Sequence, residues 1–339
     1  PFRQSFATNF SSFSALLTLI GFLSPHKTSG MELIWSLALL VVSAIGLALS
    51  AELIGRSATA LEKVYGQGFV GGLLIGLMST MPETAVVTFS AYYSNYQVAV
   101  GSSMGGNMML FTLGVGIIGL AYLSRYRKEL VISTEYSVER DYLLIATIAL
   151  LLLIPYSKLD RLSGALLIVI YVAYLVNRIR RSRRGEGEKG TGLRRAGLEM
   201  LVGFLLGLSS SPFFSIAVND LAQGIDVSPL ILSLVIAPLA TDMDTILTSL
   251  NLIRRDESGG SVSILGLIGS KIENVTILLG LIGAVSPSPV VVDPLNLVIL
   301  VATNSAALFI LWDRTLGRAE SLALIMFYVV LVVVTVIEG

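Results

Sequence analysis

Cysteine is absent from the sequence and histidine occurs once, at His26. The first absence excludes disulfides, thiol chemistry and cysteine-based metal sites, and the second argues against imidazole sites for zinc or copper. Charge is scarce as well. Asp, Glu, Lys and Arg make up 14% of the chain and cancel to a formal net charge of zero, so no global field points to nucleic acid or another polyanion. What fills the chain instead is apolar: 54% of its 339 residues are hydrophobic and the mean hydropathy is +0.81. That is too hydrophobic for a soluble domain of this length and reads as an all-α polytopic membrane protein.

At about 20 residues per span, ten candidate stretches start near Met31, Phe69, Gln97, Asp141, Leu162, Ala196, Ser228, Ser261, Val291 and Glu320. Charge or Gly/Pro/Ser clusters end them, as in SPSPVVVDP from Ser286 to Pro294. Residues 1–30 hold an apolar run of only about ten residues, too short to span. We read them as a flexible or interfacial leader, with a signal-peptide remnant or a short extra helix as alternatives.

Lysine and arginine set the orientation. Eighteen of the 23 lie in alternate gaps between the ten stretches, against Lys158 and Arg161 in the others, so the basic-rich gaps are assigned to the cytoplasm. The densest run, RIRRSRRGEGEKGTGLRR over residues 178–195, then links two five-helix halves, residues 31–177 and 196–339. It serves as a topology anchor, with contact to anionic lipid as a secondary role. Lys271 belongs to no gap: it falls inside the eighth stretch.

The halves resemble each other. An offset of 164 places Gly105, Thr112, Gly116 and Gly119 on Gly269, Thr276, Gly280 and Gly283. An offset of 162 places MSTMPETAVVT (Met78–Thr88) on ATDMDTILTSL (Ala240–Leu250). Five spans per half is an odd number, so the second copy enters the membrane from the opposite side, as an inverted repeat. Pro82 and Pro238 disturb the helix beside these matched polar stretches and free backbone carbonyls that lipid cannot satisfy. Broken helices at the midplane of inverted repeats are where transporters place ion sites.

These stretches, with GSSMGGNMMLFTLGVG and GLIGSKIENVTILLG after them, resemble the two alpha repeats of the calcium/cation antiporter superfamily, which includes sodium/calcium exchangers. The likeness covers about half the chain, spans one to three and six to eight. It implies that Ser79, Thr80 and Glu83 supply cation ligands from the first broken helix, where they match a Thr-Ser-x-Pro-Glu pattern. It implies further ligands from the following segments, GGNMML with Asn107 and GSKIEN with Ser270 and Asn274. The second broken helix departs from the pattern: Thr241 is kept, Asp242 takes a serine position, Asp244 a proline position and Thr245 the glutamate position. In the first repeat Gly106 stands where the family has serine and Leu110 where it has the terminal ligand.

The physical reading stands beside the resemblance. Each ionised residue near the bilayer centre costs roughly 2.5–3.5 kcal/mol on insertion scales, so Glu83, Asp242, Asp244 and Glu273 need pairing, protonation or bound cations. Hard oxygen ligands suit calcium, sodium or magnesium, and the carboxylates of Glu83, Asp242 and Asp244 are the groups to meet a divalent ion directly. Asp242 is preferred over Asp244 because it aligns with Thr80 and shares a helical face with Thr245. Lys271 either snorkels or neutralises a structural aspartate, or serves as an internal ammonium where a cation would sit, paired with Asp242, Asp244 or Glu273.

The expectation is therefore a ten-helix cation antiporter, not an enzyme, with no cofactor and with the lipid bilayer and small inorganic cations as its partners. It would exchange calcium or another divalent for sodium or protons by alternating access, the first and sixth spans moving against the repeat cores. A proton-coupled or magnesium-selective exchanger of the same fold, a passive cation channel and an intramembrane aspartyl protease are the alternatives. The protease fits poorly, since its two aspartates belong on different helices. The cell membrane is the expected location, with the basic linker cytoplasmic. Because the chain has no cysteine, a single one introduced at Ser182 should react with an impermeant thiol reagent only from the cytoplasmic side; labelling from outside intact cells would invert the topology.

Overall fold

The computed structural model describes residues 30–65, 80–132, 136–181, 193–255 and 257–338. The readings made for the leader up to residue 29, for Ser79 and for most of the basic linker lie outside them, as does the Asp244 side chain. Helix α1 is Gly30–Tyr65 and α2 is Met81–Tyr92. Helix α3 (Tyr96–Met108) passes through a π-helical stretch (Met109–Gly114) into α4 (Val115–Tyr126). Helices α5 (Ser137–Leu153) and α6 (Arg161–Arg181) complete the first half.

The second half repeats this order with α7 (Leu193–Gly224), α8 (Pro229–Thr241) and α9 (Met243–Arg255). Helix α10 (Gly259–Glu273) runs through a second π-helical stretch (Asn274–Leu278) into α11 (Leu279–Val285). Helices α12 (Pro294–Asp313) and α13 (Arg318–Glu338) end it. Among the described residues seven helices are long and apolar enough to cross a bilayer, and the pair α8 and α9, bent by 44°, makes an eighth. Trp35, Leu162, Phe309 and Trp312 are exposed on these helices, as a lipid-facing surface requires.

Three prolines sit where helices begin, at the second position of α2 and the first of α8 and α12, where a missing N–H costs nothing, and Pro212 lies inside α7. Pro238 lies inside α8, and the chain stays helical past it until Asp242 (φ −116°, ψ −7°), whose N–H still donates to the Pro238 carbonyl at 2.8 Å. The break thus falls one turn beyond the proline and separates Asp242 from Asp244, which is part of α9. The basic linker is shorter than the charge pattern suggests, because α6 continues through Arg181 and α7 opens at Leu193. Arginines in the last turn of α6 face the negative end of its dipole, which favours the extra turn.

The two halves also match in their contacts. Helix α4 packs on α13, and its counterpart α11 packs on α6; α1 packs on its own counterpart α7, and α5 on α12. Four two-residue strands follow the same rule. Strand β1 (Leu130–Val131) pairs antiparallel with β4 (Thr315–Leu316), and β2 (Lys158–Leu159) with β3 (Val290–Val291). Both π-helical stretches carry a threonine whose hydroxyl donates to a carbonyl four residues back, Thr112 to Met108 and Thr276 to Ile272.

Close packing rests on small residues. On α1 the serines recur every seventh residue, at 36, 43, 50 and 57, and all are buried; that period is close to two helical turns and keeps them on one face. Ser50 donates across to the Gly203 carbonyl of α7 at 2.6 Å. Helix α3 approaches α8 just as closely through Gly101 and Gly105, the spacing that lets helix backbones touch. A Cβ at Gly105 would lie 2.8 Å from Pro238 Cγ and closer still to the Leu234 carbonyl oxygen. Gly105→Leu should therefore push α8 off α3 and cost at least the 1–3 kcal/mol typical of overpacking, about what one inserted side chain costs a tight core. A thermal melt in detergent reads the loss; an unchanged melt would show that the crossing is loose.

Candidate functional site

Thr80, Asp242 and the second π-helical stretch meet in the interior. Thr80 (φ −95°, ψ 1°) is the residue before α2, and Asp242, its counterpart at the 162-residue offset, is the residue before α9 with nearly the same backbone angles. The second π-helical stretch begins at Asn274. Glu83 stands in the first turn of α2 and Asp242 at the entry to α9, so both carboxylates sit at helix N-termini, whose unpaired N–H groups favour negative charge.

These carboxylates come together over Gly106 of α3. A Cβ there would lie 2.9 Å from Asp242 Oδ2, 2.5 Å from the Asn274 carboxamide and closer still to Glu83 Oε1. The Asn274 amide nitrogen donates to Glu83 Oε2 at 3.2 Å and to the Ser270 carbonyl at 3.1 Å, and its oxygen accepts from the Asn107 N–H at 3.1 Å. Glu83 faces the Asp242 carboxyl group. Glu83, Asp242 and Asn274 are all buried. Two carboxylates in contact away from water cannot both be bare anions; they share a proton or a cation. The glycine that replaces the family's serine is thus what leaves room for the second carboxylate.

Glu273 turns elsewhere. Its Oε1 accepts from the Thr80 hydroxyl, and the Tyr171 hydroxyl of α6 is also bonded to it. Among the described residues no three acidic or imidazole groups converge on one point. Among the described side chains the Lys271 ammonium meets no carboxylate, the Asp244 side chain lying outside them: it donates to Asn107 Oδ1 at 2.8 Å and stands 5.1 Å from the centre of the Phe111 ring. Thr303 of α12 donates to the same Asn107 oxygen at 2.8 Å. The single Thr303 hydroxyl proton is shared between that oxygen and the Leu300 carbonyl, also at 2.8 Å. Lys271 and Asn107 are repeat counterparts, and their side chains meet between the halves.

Of the other expected ligands, Thr241 is buried and donates back to the Ala237 carbonyl at 3.0 Å, and Ser270 enters the network through its carbonyl. Thr245 opens the first turn of α9, its N–H donating to the Asp242 carbonyl at 3.1 Å. Ser79 and the Asp244 side chain are outside the described residues. Tyr171, Phe111 and Thr303 escaped the sequence reading. Tyr171 and Phe111 sit in apolar runs with no local signal, whereas the polar pair Thr303 and Asn304 interrupts an otherwise apolar helix and carries the signal that identified the other sites.

Comparison with known proteins follows the same geometry. The family model described as sodium/calcium exchanger protein matches residues 35–180 and 197–337. The inner membrane protein YrbG of Escherichia coli (strain K12) is 25% identical over 274 residues, which cover 76% of this chain and 82% of that protein. The crystal structure of the H+/Ca2+ exchanger CAX superposes with a TM-score of 0.75 at 19% identity, covering 99% of this chain and 92% of that one. A structure of the sodium-calcium exchanger NCX_Mj superposes with a TM-score of 0.62 at 14% identity, covering 88% and 97%. At these identities the two structures show a shared fold.

Thr80→Val removes a hydroxyl donor from buried Glu273. It should lower stability by about 1–3 kcal/mol, the cost of an unsatisfied buried acceptor, while Thr80→Ser should retain most of it. Thermal unfolding of the two variants side by side checks this; equal melts would mean that Tyr171 suffices.

Proposed function

Because the chain belongs to the sodium/calcium exchanger protein family, we propose that it is a secondary active antiporter that exchanges calcium, or another divalent cation, for sodium or protons. The observation that carries this reading is the meeting of Glu83 and Asp242, one from each half, with Asn274 over Gly106. Carboxylate and carboxamide oxygens are the ligands a hard cation selects. Glu83 and Asp242 are the proposed direct ligands, joined by Asn274, Thr241 and the carbonyls freed at the α8 and α9 break. Ser79 and Asp244 stand close in sequence and are proposed to complete the shell in some part of the cycle. Asn107 is left out, since its oxygen accepts from the Lys271 ammonium.

Ten spans in two inverted halves are part of the same proposal. The paired contacts of α4 with α13 and α11 with α6 support it, as do the matching strand pairs. Alternating access follows naturally from that arrangement: α1 and α7 lie along one another on a seam of serines and glycines, and α2 and α8, which pack on α3, also rest against that pair. Movement of the pair against these helices would expose the Glu83–Asp242 centre to one side and then the other.

Calcium uptake into proteoliposomes, driven in separate arms by an outward sodium gradient and by a proton gradient, tests the function and names the coupling ion. Uptake that needs no counter-ion would point to a channel, and magnesium in place of calcium tests the other divalent. Glu83→Gln keeps the shape and removes one charge. The loss of about 3 kcal/mol expected on breaking a buried charge interaction corresponds to roughly a hundredfold slower exchange at subsaturating calcium. Near wild-type exchange by this variant would remove Glu83 from the site.

A further inference from the structure

Among the described residues Lys271 is the only lysine or arginine that is fully buried. Its ammonium is held by one neutral oxygen, Asn107 Oδ1, and by the face of Phe111. A side chain kept there for packing would serve better as methionine or leucine, which fill the same volume without a charge to desolvate. The charge itself must therefore be useful, and its surroundings say how. At the offset that relates the two helices, Lys271 is the repeat counterpart of Asn107, so the ammonium reaches across the internal pseudo-twofold onto its own mate.

Two steps connect it to the carboxylates: the Asn107 N–H donates to the Asn274 oxygen, and the Asn274 nitrogen donates to Glu83. The oxygens around the ammonium, Asn107 Oδ1 and Thr303 Oγ1, are neutral and hard. That is the donor set of a weakly bound monovalent cation.

We propose that the Lys271 ammonium is a tethered cation that is never transported: it fills a monovalent-cation position between the two repeats, so that each cycle moves one fewer monovalent ion than the site would otherwise take. A fixed positive charge two hydrogen-bond steps from Glu83 stays with the protein in every state of the transporter, and no gradient has to supply it. The inference rests on the antiport reading above and sets its coupling ratio.

Lys271→Asn puts at this position the residue that the first repeat has at its own and adds a third neutral oxygen. In proteoliposomes the coupling ratio is read from the membrane potential at which net calcium flux stops. Lys271→Arg should keep the wild-type ratio, and Lys271→Asn should raise it by one monovalent ion per divalent. The exchange of residues across the pseudo-twofold, Asn107→Lys with Lys271→Asn, should bring the ratio back, an outcome that a packing role does not produce. The same ratio in wild type and active Lys271→Asn would overturn the inference while leaving antiport intact.

Wild type without counter-ion-dependent flux would overturn antiport instead. The binding arm then still decides the inference: purified Lys271→Asn should be stabilised against heat by sodium where wild type is not, and no such gain would overturn it. If Lys271→Asn does not fold, the double variant takes over both readouts; a folded double variant whose ratio or sodium response differs from wild type overturns the inference, and so does failure of both variants to fold, which would make the lysine structural.

Discussion

A carboxylate in the middle of a bilayer has no water to turn to, so every charged group there must find its partner within the protein or bring a cation with it. The centre of this molecule is organised by that requirement. Glu83 and Asp242 are drawn to helix N-termini, where unpaired N–H groups supply partial positive charge. Glu273 takes hydroxyl donors from Thr80 and Tyr171. Asn274 binds a carboxylate through its nitrogen and a backbone N–H through its oxygen, and so ties three helices together. The close approach of Glu83 and Asp242, two acidic groups from different helices over Gly106, is the feature on which the transport proposal is built.

A symmetric frame carries asymmetric chemistry. Helix contacts, strand pairs and π-helical stretches recur in both halves, but the polar residues at equivalent positions differ. Thr80 faces Asp242 in the repeat alignment, Glu83 faces Thr245, and Asn107 faces Lys271. Identical residues would place like charges together across the pseudo-twofold, which low dielectric makes costly. Divergence allows a donor from one half to meet an acceptor from the other, as Lys271 does with Asn107 and Thr80 with Glu273. Gly106 shows the same division at the level of volume: Ser270 holds its position in the second half, and loss of the side chain in the first makes space for two carboxylates.

Composition and hydrophobic stretches were enough to read a helical membrane protein, because lipid demands long apolar helices. They were also enough to single out Glu83, Asp242 and Asn274, since an ionisable or amide group inside an apolar run is conspicuous along the chain. Partner choice was not legible. Nothing along the chain says that the Lys271 ammonium lies on Asn107 or that Glu273 takes Thr80 and Tyr171. Such contacts join residues 164 or 193 positions apart. Coulomb attraction says which pairs would gain, but only helix crossing angles, the unwound turns at Thr80 and Asp242 and the volume left by Gly106 decide which side chains can reach one another.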